Sequence, residues 1–299
     1  MATLREVRGR IAGVKKTQKI TKAMKMVAAS KLRRAQMAVV SARPYARKIL
    51  ELLQHLSSSA DGVLDPLLIP RDVTSVALVV VTSDRGLCGA FNANLVRAAV
   101  GHLDEKYATL LAAGKVKLFC IGRKGADFFT KRQYPVAGRY VGVYDALSFA
   151  AVKPIARGFV EQFMQGEFDK LEIVYNEFKS VAQQRIVIEE FLPIPAGAFG
   201  SEPSPVKDKR PIYYLYEPSS RRLASAMVPR HVDFQLWRIL LESNAAEQGA
   251  RMTAMDNATE NAEELISTLQ LQYNKARQAA ITKELLEVVS GAEALRSGD

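Results

Sequence analysis

The sequence predicts an α/β protein in which the two ends of the chain form a long antiparallel coiled coil and an α/β domain is inserted between them. Two observations predict this architecture. Apolar residues recur at alternating intervals of three and four in both terminal segments, and strand and helix patterns alternate in the segment between them. We therefore expect one coiled-coil helix in residues 1–58, the α/β domain in residues 74–218 and a second coiled-coil helix in residues 229–296.

The first predicted element is a helix whose apolar residues have the spacing of a coiled-coil seam. These residues are Leu4, Val7, Ile11, Val14, Ala28, Leu32, Ala35, Val39, Ala42, Ala46, Ile49 and Leu53. The same register is polar in its middle, at Gln18, Thr21 and Lys25. There we expect the apolar stripe to shift to Ile20, Met24 and Val27. Pro44 is expected to bend the helix near its far end.

The middle of the chain alternates between strand and helix patterns. Short runs rich in β-branched and aromatic residues predict strands at 75–83, 115–122, 170–178, 183–192 and 212–217. Helices are predicted at about 93–113 and at 150–164, and residues 193–211 form a Pro-, Gly- and Ser-rich loop. This order predicts a mostly parallel sheet with helices on its faces.

The last predicted element is a helix that follows Pro229, because no proline occurs after that position. Its apolar or small residues are Phe234, Trp237, Leu241, Ala245, Met252, Met255, Ala262, Ile266, Leu269, Tyr273, Ala276 and Ala280. Antiparallel pairing with the shorter first helix leaves the end of this helix protruding. That end is apolar on most sides, at Ile281, Leu285, Leu286, Val288, Val289, Ala292 and Leu295. An apolar helix of this kind must be enclosed by another molecule.

No arrangement of residues in the sequence predicts covalent chemistry or a metal site. The two cysteines form no CxxC pair, and the three histidines are scattered. The turn in "VVVTSDRGLCGAFNANL" follows a strand and leads into a helix, but it matches neither the dinucleotide nor the P-loop fingerprint. Cys88 in that turn has no recognisable partner and is expected to be a buried thiol. We expect a non-enzymatic chain without cofactor or metal.

The positive charge is confined to one element. Residues 1–55 contain 14 lysines or arginines and two acids, a net charge of +12, whereas the remainder contains 28 bases and 29 acids. Such a helix suits nucleic acid, a membrane surface or an electronegative protein sleeve, and it can also be a solvated charge run. No aromatic residue precedes Tyr45 to stack on a base, and the apolar face lacks the bulk for membrane insertion. An electronegative protein sleeve around the helix would account for both the apolar seam and the positive charge.

Four stretches of the chain resemble the gamma subunit family of F-type ATP synthase. They are "TQKITKAMKMVAASKLRRAQ", "SDRGLCGAFN", "YNKARQAAITKELLEVVSGAEAL" and the framing by two long terminal helices. The resemblance implies a rotor whose coiled coil lies inside a ring of α and β subunits, with a Rossmann-like α/β domain at the foot against the c-subunit ring and the epsilon subunit. It also implies a peripheral membrane protein on the cytoplasmic face of the bacterial cell membrane, without nucleic-acid binding or direct membrane insertion.

The resemblance further implies which residues contact partners. Contacts to β are expected at Met24, Lys25, Arg277, Gln278, Thr282 and Glu284. Contacts of the foot to the c-ring or epsilon are expected at Tyr214, Tyr216 and Glu217. In this family the catalytic residues lie in β, so none is expected here.

Overall fold

The computed structural model describes residues 4–57, 65–181, 183–195, 216–217 and 219–296. The chain divides into two compact units. One lies within Met1–Ala28 and Met252–Asp299, and the other is Ala29–Arg251. Two long helices, α1 (Leu4–Ser57) and α6 (Ser220–Arg296), contribute residues to both units.

The second unit contains a five-stranded sheet with the order β3-β2-β1-β4-β5. Its strands are β1 (Val76–Val81), β2 (Val116–Ile121), β3 (Val136–Tyr140), β4 (Lys170–Phe178) and β5 (Gln184–Leu192). Strand β1 pairs in parallel with β2 and with β4, and β2 pairs in parallel with β3. Among the described strands, only β5 is antiparallel, to β4. Every residue of β1 is buried, as expected for a central strand with both faces covered.

Two apolar layers cover this sheet. On one face lie α2 (Phe91–Lys106), the short α3 (Ala108–Ala112) and α4 (Arg123–Lys131), which pack through residues such as Leu95 and Phe129. On the other face lie α5 (Phe149–Met164), the end of α1 and the beginning of α6, with a 3₁₀ turn at Pro66–Leu68. The two terminal helices therefore help to form the core of the sheet domain.

Most predicted elements of the α/β domain are present. The strands predicted at 75–83, 115–122, 170–178 and 183–192 are β1, β2, β4 and β5, and the sheet is mostly parallel as predicted. The predicted helix 93–113 is interrupted at Tyr107, between α2 and α3. Helix α5 begins at Phe149, one residue before the predicted start.

Three predictions about element limits were wrong or incomplete. Helix α6 begins at Ser220 and continues through Pro229, whereas we expected it to follow that proline. Helix α4 and strand β3 were not predicted. Strand β3 is short and contains Gly138, so its sequence pattern is weak. That glycine makes room for a ring, because a Cβ there would lie 2.7 Å from Cδ1 of Phe119. Residues 212–215 of the predicted strand 212–217 lie outside the described residues, and Tyr216 and Glu217 are not in a strand.

Candidate partner-binding surface

The first unit is built around an antiparallel pair of helices. Three polar contacts join α1 to α6: Arg8 Nη2 donates to Tyr273 Oη at 2.8 Å, Thr21 Oγ1 lies 2.7 Å from Thr259 Oγ1, and Lys25 Nζ lies 2.5 Å from Asp256 Oδ1. Later residues of α1 meet earlier residues of α6, so the two helices run in opposite directions. The predicted pairing of the two ends of the chain is confirmed in this unit.

The expected shift of the apolar stripe in the middle of α1 was wrong. Ile20 and Val27 are 59% and 56% exposed, whereas Thr21 is only 9% exposed. The original register therefore continues through its polar positions. The reason is that Thr21 and Lys25 find polar partners on α6, so their burial leaves no unsatisfied group.

This uninterrupted register leaves apolar residues on the outside of α1. Ile20, Met26 and Val27 are all largely exposed, and the lysines around them at 15, 16, 19 and 22 are exposed as well. We call the surface formed by Ile20, Met26 and Val27 the outer apolar face. An apolar surface surrounded by cations is suited to a partner that combines apolar and acidic side chains.

Met24 and Lys25 do not lie equally on this surface. Met24 is half-buried, and the Lys25 side chain is 38% exposed with its ammonium group in the ion pair with Asp256. An exposed pair of this kind contributes no more than about 1 kcal/mol to stability. In this ion pair the Lys25 ammonium group nevertheless binds Asp256 of α6, so it is not available to a partner protein.

The other four predicted contacts lie on the last part of α6, where the side chains of Arg277, Gln278, Thr282 and Glu284 are exposed. Thr282 Oγ1 donates to the Gln278 carbonyl oxygen at 2.9 Å, a hydrogen bond within the helix. Arg277 and Glu284 are seven residues apart and share one side of α6, whereas Gln278 and Thr282 share the neighbouring side. Asp256, the partner of Lys25, is 21 residues before Arg277, which is roughly 30 Å along a helix. The six residues therefore form two separate patches.

The seam of α6 ends at Ala280, which is half-buried. From Ile281 to Ala292 every residue is exposed, including Leu285 at 61% and Val288 at 70%. The expectation that this apolar end protrudes from its own chain is confirmed for the described side chains.

The predicted foot contacts lie in the second unit. Tyr214 lies outside the described residues. Tyr216 is partly buried against the apolar core that α5 and α6 form on the sheet, whereas Glu217 is exposed. Of the two that the structure describes, Glu217 therefore has the side chain that is available to a partner.

The turn after β1 has a structural role in the second unit. The Asn92 amide oxygen accepts from the Ser83 N–H at 3.0 Å, and the Arg251 guanidinium donates to the Arg85 and Gly86 carbonyl oxygens at 3.3 and 3.2 Å. Arg251 also pairs with the buried Glu247 at 2.5 Å. The turn thus fastens α6 to the sheet through its carbonyl groups, whereas a phosphate site would present N–H groups.

The cysteine of this turn is buried, as predicted. Only 2% of Cys88 is exposed, and burial raises the pKa of its thiol. A thiol of this kind is unreactive. Within the described ranges, no three His, Cys, Asp or Glu side chains come together as a metal-binding group.

Sequence reasoning missed the residues of α6 that make the seam polar, Asp256 and Thr259. The sequence could have indicated them, because antiparallel pairing of the two helices brings these positions of α6 opposite Lys25 and Thr21. It also missed the outer apolar face, since Ile20 and Val27 were assigned to the seam.

Comparisons with known proteins agree over nearly the whole chain. The family model for ATP synthase matches residues 3–295. Curated relatives called ATP synthase gamma chain include that of Chloroherpeton thalassium, 52% identical over 99% of both chains, and that of Chlorobaculum parvum, 52% identical over 99% of this chain and 100% of the relative.

Solved structures with the same fold come from mitochondrial ATP synthases. A chain in the central stalk and c-ring structure of Tetrahymena thermophila is 25% identical with a TM-score of 0.57, covering 80% of this chain and 99% of that one. A chain in the Euglena gracilis structure of OSCP, F1 and c-ring has a TM-score of 0.65 at 21% identity, covering 99% of this chain and 95% of that one.

Proposed function

The chain belongs to the family of ATP synthase gamma chains, and we propose that its paired terminal helices form the shaft that couples rotation of the central stalk to ATP synthesis. The gamma chain is a subunit of the complex and not the catalytic one. The proposal depends above all on one observation: a helix pair whose outer surface differs from side to side and whose far end is apolar and bare.

A shaft can drive chemistry without catalytic residues if its partners respond to which side they meet. A ligand shifts a conformational equilibrium only by its differential affinity for the two states. Near the height of the contact between Thr21 and Thr259, the outer apolar face of α1 is bordered by lysines, whereas α6 exposes Glu260, Glu263 and Glu264. A ring of β subunits around this shaft would meet a different surface in each position. Rotation would then favour one β conformation after another, in the order of ADP and phosphate binding, ATP formation and ATP release.

The proposed partners follow from the same assignment. They are the α and β subunits of the catalytic ring, the epsilon subunit and the c-subunit ring, whose ion-driven rotation turns the shaft. We place the protein at the cytoplasmic face of the bacterial cell membrane, held there by its partners. Among the described residues, no helix has the length and apolarity needed to cross a membrane. No cofactor is part of the proposal.

The proposed contacts to β keep the two patches described above. Met24 belongs to the first, with Lys25 acting through its pair with Asp256, and the outer apolar face adds Ile20 and Val27. Arg277, Gln278, Thr282 and Glu284 form the second, where an arginine fork suits a carboxylate of the partner. At the foot, Glu217 and Tyr216 are proposed to face the c-ring or epsilon, and Tyr214 remains a prediction from the sequence.

Reconstitution tests the proposal. The purified chain is expected to hydrolyse no ATP, and its addition to purified α and β subunits is expected to yield an active complex. Ile20→Glu is expected to lower that activity severalfold, because it places a like charge against an acidic partner. The matched control is Ile69→Glu, which changes an apolar residue that is 47% exposed but lies outside both long helices. Hydrolysis that is identical with and without the chain would refute the rotor assignment.

A further inference from the structure

An open groove lies in the second unit, and none of the contact residues named above lines it. It is lined by small residues of α1 and by aromatic residues of three helices: Ala38, Ser41, Ala42, Tyr45, Phe149, Phe234 and Trp237. Its volume is about 310 Å³, at the lower limit of typical ligand clefts. We call it the aromatic groove.

Two pairs of rings form the walls of this groove. Tyr45 and Phe234 have ring centroids 5.2 Å apart, and Phe149 and Trp237 stand edge to face at 6.3 Å. Tyr45 is 50% exposed and Phe149 is 39% exposed, so large apolar surfaces face solvent. Ala38, Ser41 and Ala42 line the rest of the groove, which we call its floor, and a larger side chain at Ala42 would reduce the space between the rings. Rigid aromatic walls around a concave centre are typical of the hot spots at which proteins bind one another.

Three cationic residues lie one helical turn from residues that line the groove, and we call them its rim. Arg34 lies one turn before Ala38 on α1, Lys153 one turn after Phe149 on α5, and Arg230 one turn before Phe234 on α6. All three side chains are exposed, and none of them makes an ion pair with another described residue. The positive end of the α5 dipole lies at the same rim.

The shape of the groove distinguishes its occupants. A flat bilayer cannot reach Phe234, which is only 6% exposed at the base of the wall. Side chains that project from a helix can reach it, as in helix-in-groove recognition. A second copy of this chain would bring the same cations to the rim and would be repelled.

We propose that the aromatic groove binds an acidic amphipathic helix of a partner protein, with apolar side chains between the ring pairs and carboxylates against Arg34, Lys153 and Arg230. None of these residues belongs to the proposed shaft contacts, so the proposal does not depend on the rotor assignment. It adds a docking site in the sheet-containing unit.

The chain contains its own reporter for the test, since Trp237 is its single tryptophan. We would titrate the full-length purified chain with a synthetic helical peptide that carries leucines on one side and glutamates on the other. Occupancy of the groove excludes water from Trp237, so the emission should move to shorter wavelength and saturate. The same peptide with lysine in place of each glutamate should bind at least about tenfold more weakly.

Matched variants locate the binding site. Arg34→Glu should weaken binding of the acidic peptide by about fivefold or more, because it reverses a rim charge. Arg33→Glu makes the same change one position earlier, on another side of α1, and should alter binding by less than about twofold. Ala42→Phe should fill the floor and abolish the shift, and its circular dichroism should match that of the unmodified chain.

Several outcomes would overturn the proposal. Equal binding of the acidic and basic peptides would mean that the rim charges select nothing. An emission shift with anionic lipid vesicles but with neither peptide would identify a membrane-binding surface instead. A shift that follows protein concentration without peptide would make a second copy the occupant. Equal losses for Arg33→Glu and Arg34→Glu would place the peptide elsewhere.

Discussion

At the scale of single residues, Gly122 supports the turn that leads from β2 into α4. Its φ of 97° and ψ of 144° lie in a region that is essentially restricted to glycine. A Cβ at this position would lie 2.0 Å from the Thr82 carbonyl oxygen, so it would also collide with the backbone of the residue that follows β1. Close packing of the turn against β1 therefore depends on the missing side chain.

This collision predicts different costs for two glycine substitutions. Gly122→Ala should lower the free energy of unfolding by at least about 3 kcal/mol, because strain and overlap add. Gly114→Ala is the control, since Gly114 also has a positive φ, of 69°, but a Cβ there would meet nothing within 4 Å. It should cost about 1 kcal/mol. Urea unfolding measures both, and equal losses would contradict the collision.

His231 predicts an acid-sensitive step in stability. Burial, with a smaller contribution from Arg238, lowers the pKa of its imidazole from 6.5 to about 4. The unfolded chain therefore binds the proton more readily than the folded chain. Stability from this residue is complete above about pH 6.5 and is lost as the pH falls toward 4.

From pH 7 to pH 5 this residue should remove about 2 kcal/mol from the free energy of unfolding. In His231→Gln the loss between these pH values should be smaller by that amount. Parallel urea titrations at the two pH values make the comparison, and an unchanged pH dependence in His231→Gln would show that another group is responsible.

At the scale of elements, the polar middle of the seam predicts a non-additive pair. Thr21→Val and Thr259→Val each remove the contact between the two hydroxyls, but the threonine that remains keeps a hydrogen bond to a carbonyl oxygen of its own helix, so each should cost no more than about 1 kcal/mol. The double substitution should be nearly neutral, because valine is well accommodated in a coiled-coil seam. Hydrogen exchange of residues 4–28 in the full-length chain measures all three. Additive losses would mean that the two hydroxyls do not interact.

The same seam illustrates what the sequence can predict about elements. The spacing of apolar residues at intervals of three and four located both long helices. It could do so because the buried positions of a paired helix recur at those intervals and are mostly apolar. The spacing failed at Gln18, Thr21 and Lys25, since it assumes that seam residues are apolar and cannot anticipate partners 238 and 231 residues away. Strand β3 escaped prediction for the opposite reason: its five residues VAGRY contain little apolar signal, and its pairing with β2 stabilises it.

At the scale of the whole molecule, the bare end of α6 predicts a separation between folding and assembly. Leu285 and Val289 are 61% and 59% exposed. Replacing both with serine should leave thermal unfolding of the isolated chain unchanged, because nothing in the described residues packs on them. In the reconstituted complex it should weaken binding to the α and β subunits by about 2–4 kcal/mol. A loss of stability in the isolated chain would mean that this end packs on its own protein.

The candidate site was predictable in part. The apolar end of α6 could be recognised from composition, because no remaining segment of the chain was long enough to cover it. The aromatic groove could not, since Tyr45, Phe149 and Trp237 lie on three helices and only tertiary packing brings them together. The positive charge of α1 was predictable. The side of the helix that faces α6 was not, because the buried side is polar around Thr21 and Lys25.

The pairing of Arg8 with Tyr273 spans 265 residues, and this separation has a consequence during translation. A ribosome that adds about 5–20 residues per second needs on the order of 10 to 50 s to make that stretch. For all of that time the strongly basic first helix has emerged and its complement has not been made. An isolated helix in water is only marginally stable. We therefore expect residues 4–28 to become ordered only after the last part of α6 has been synthesised.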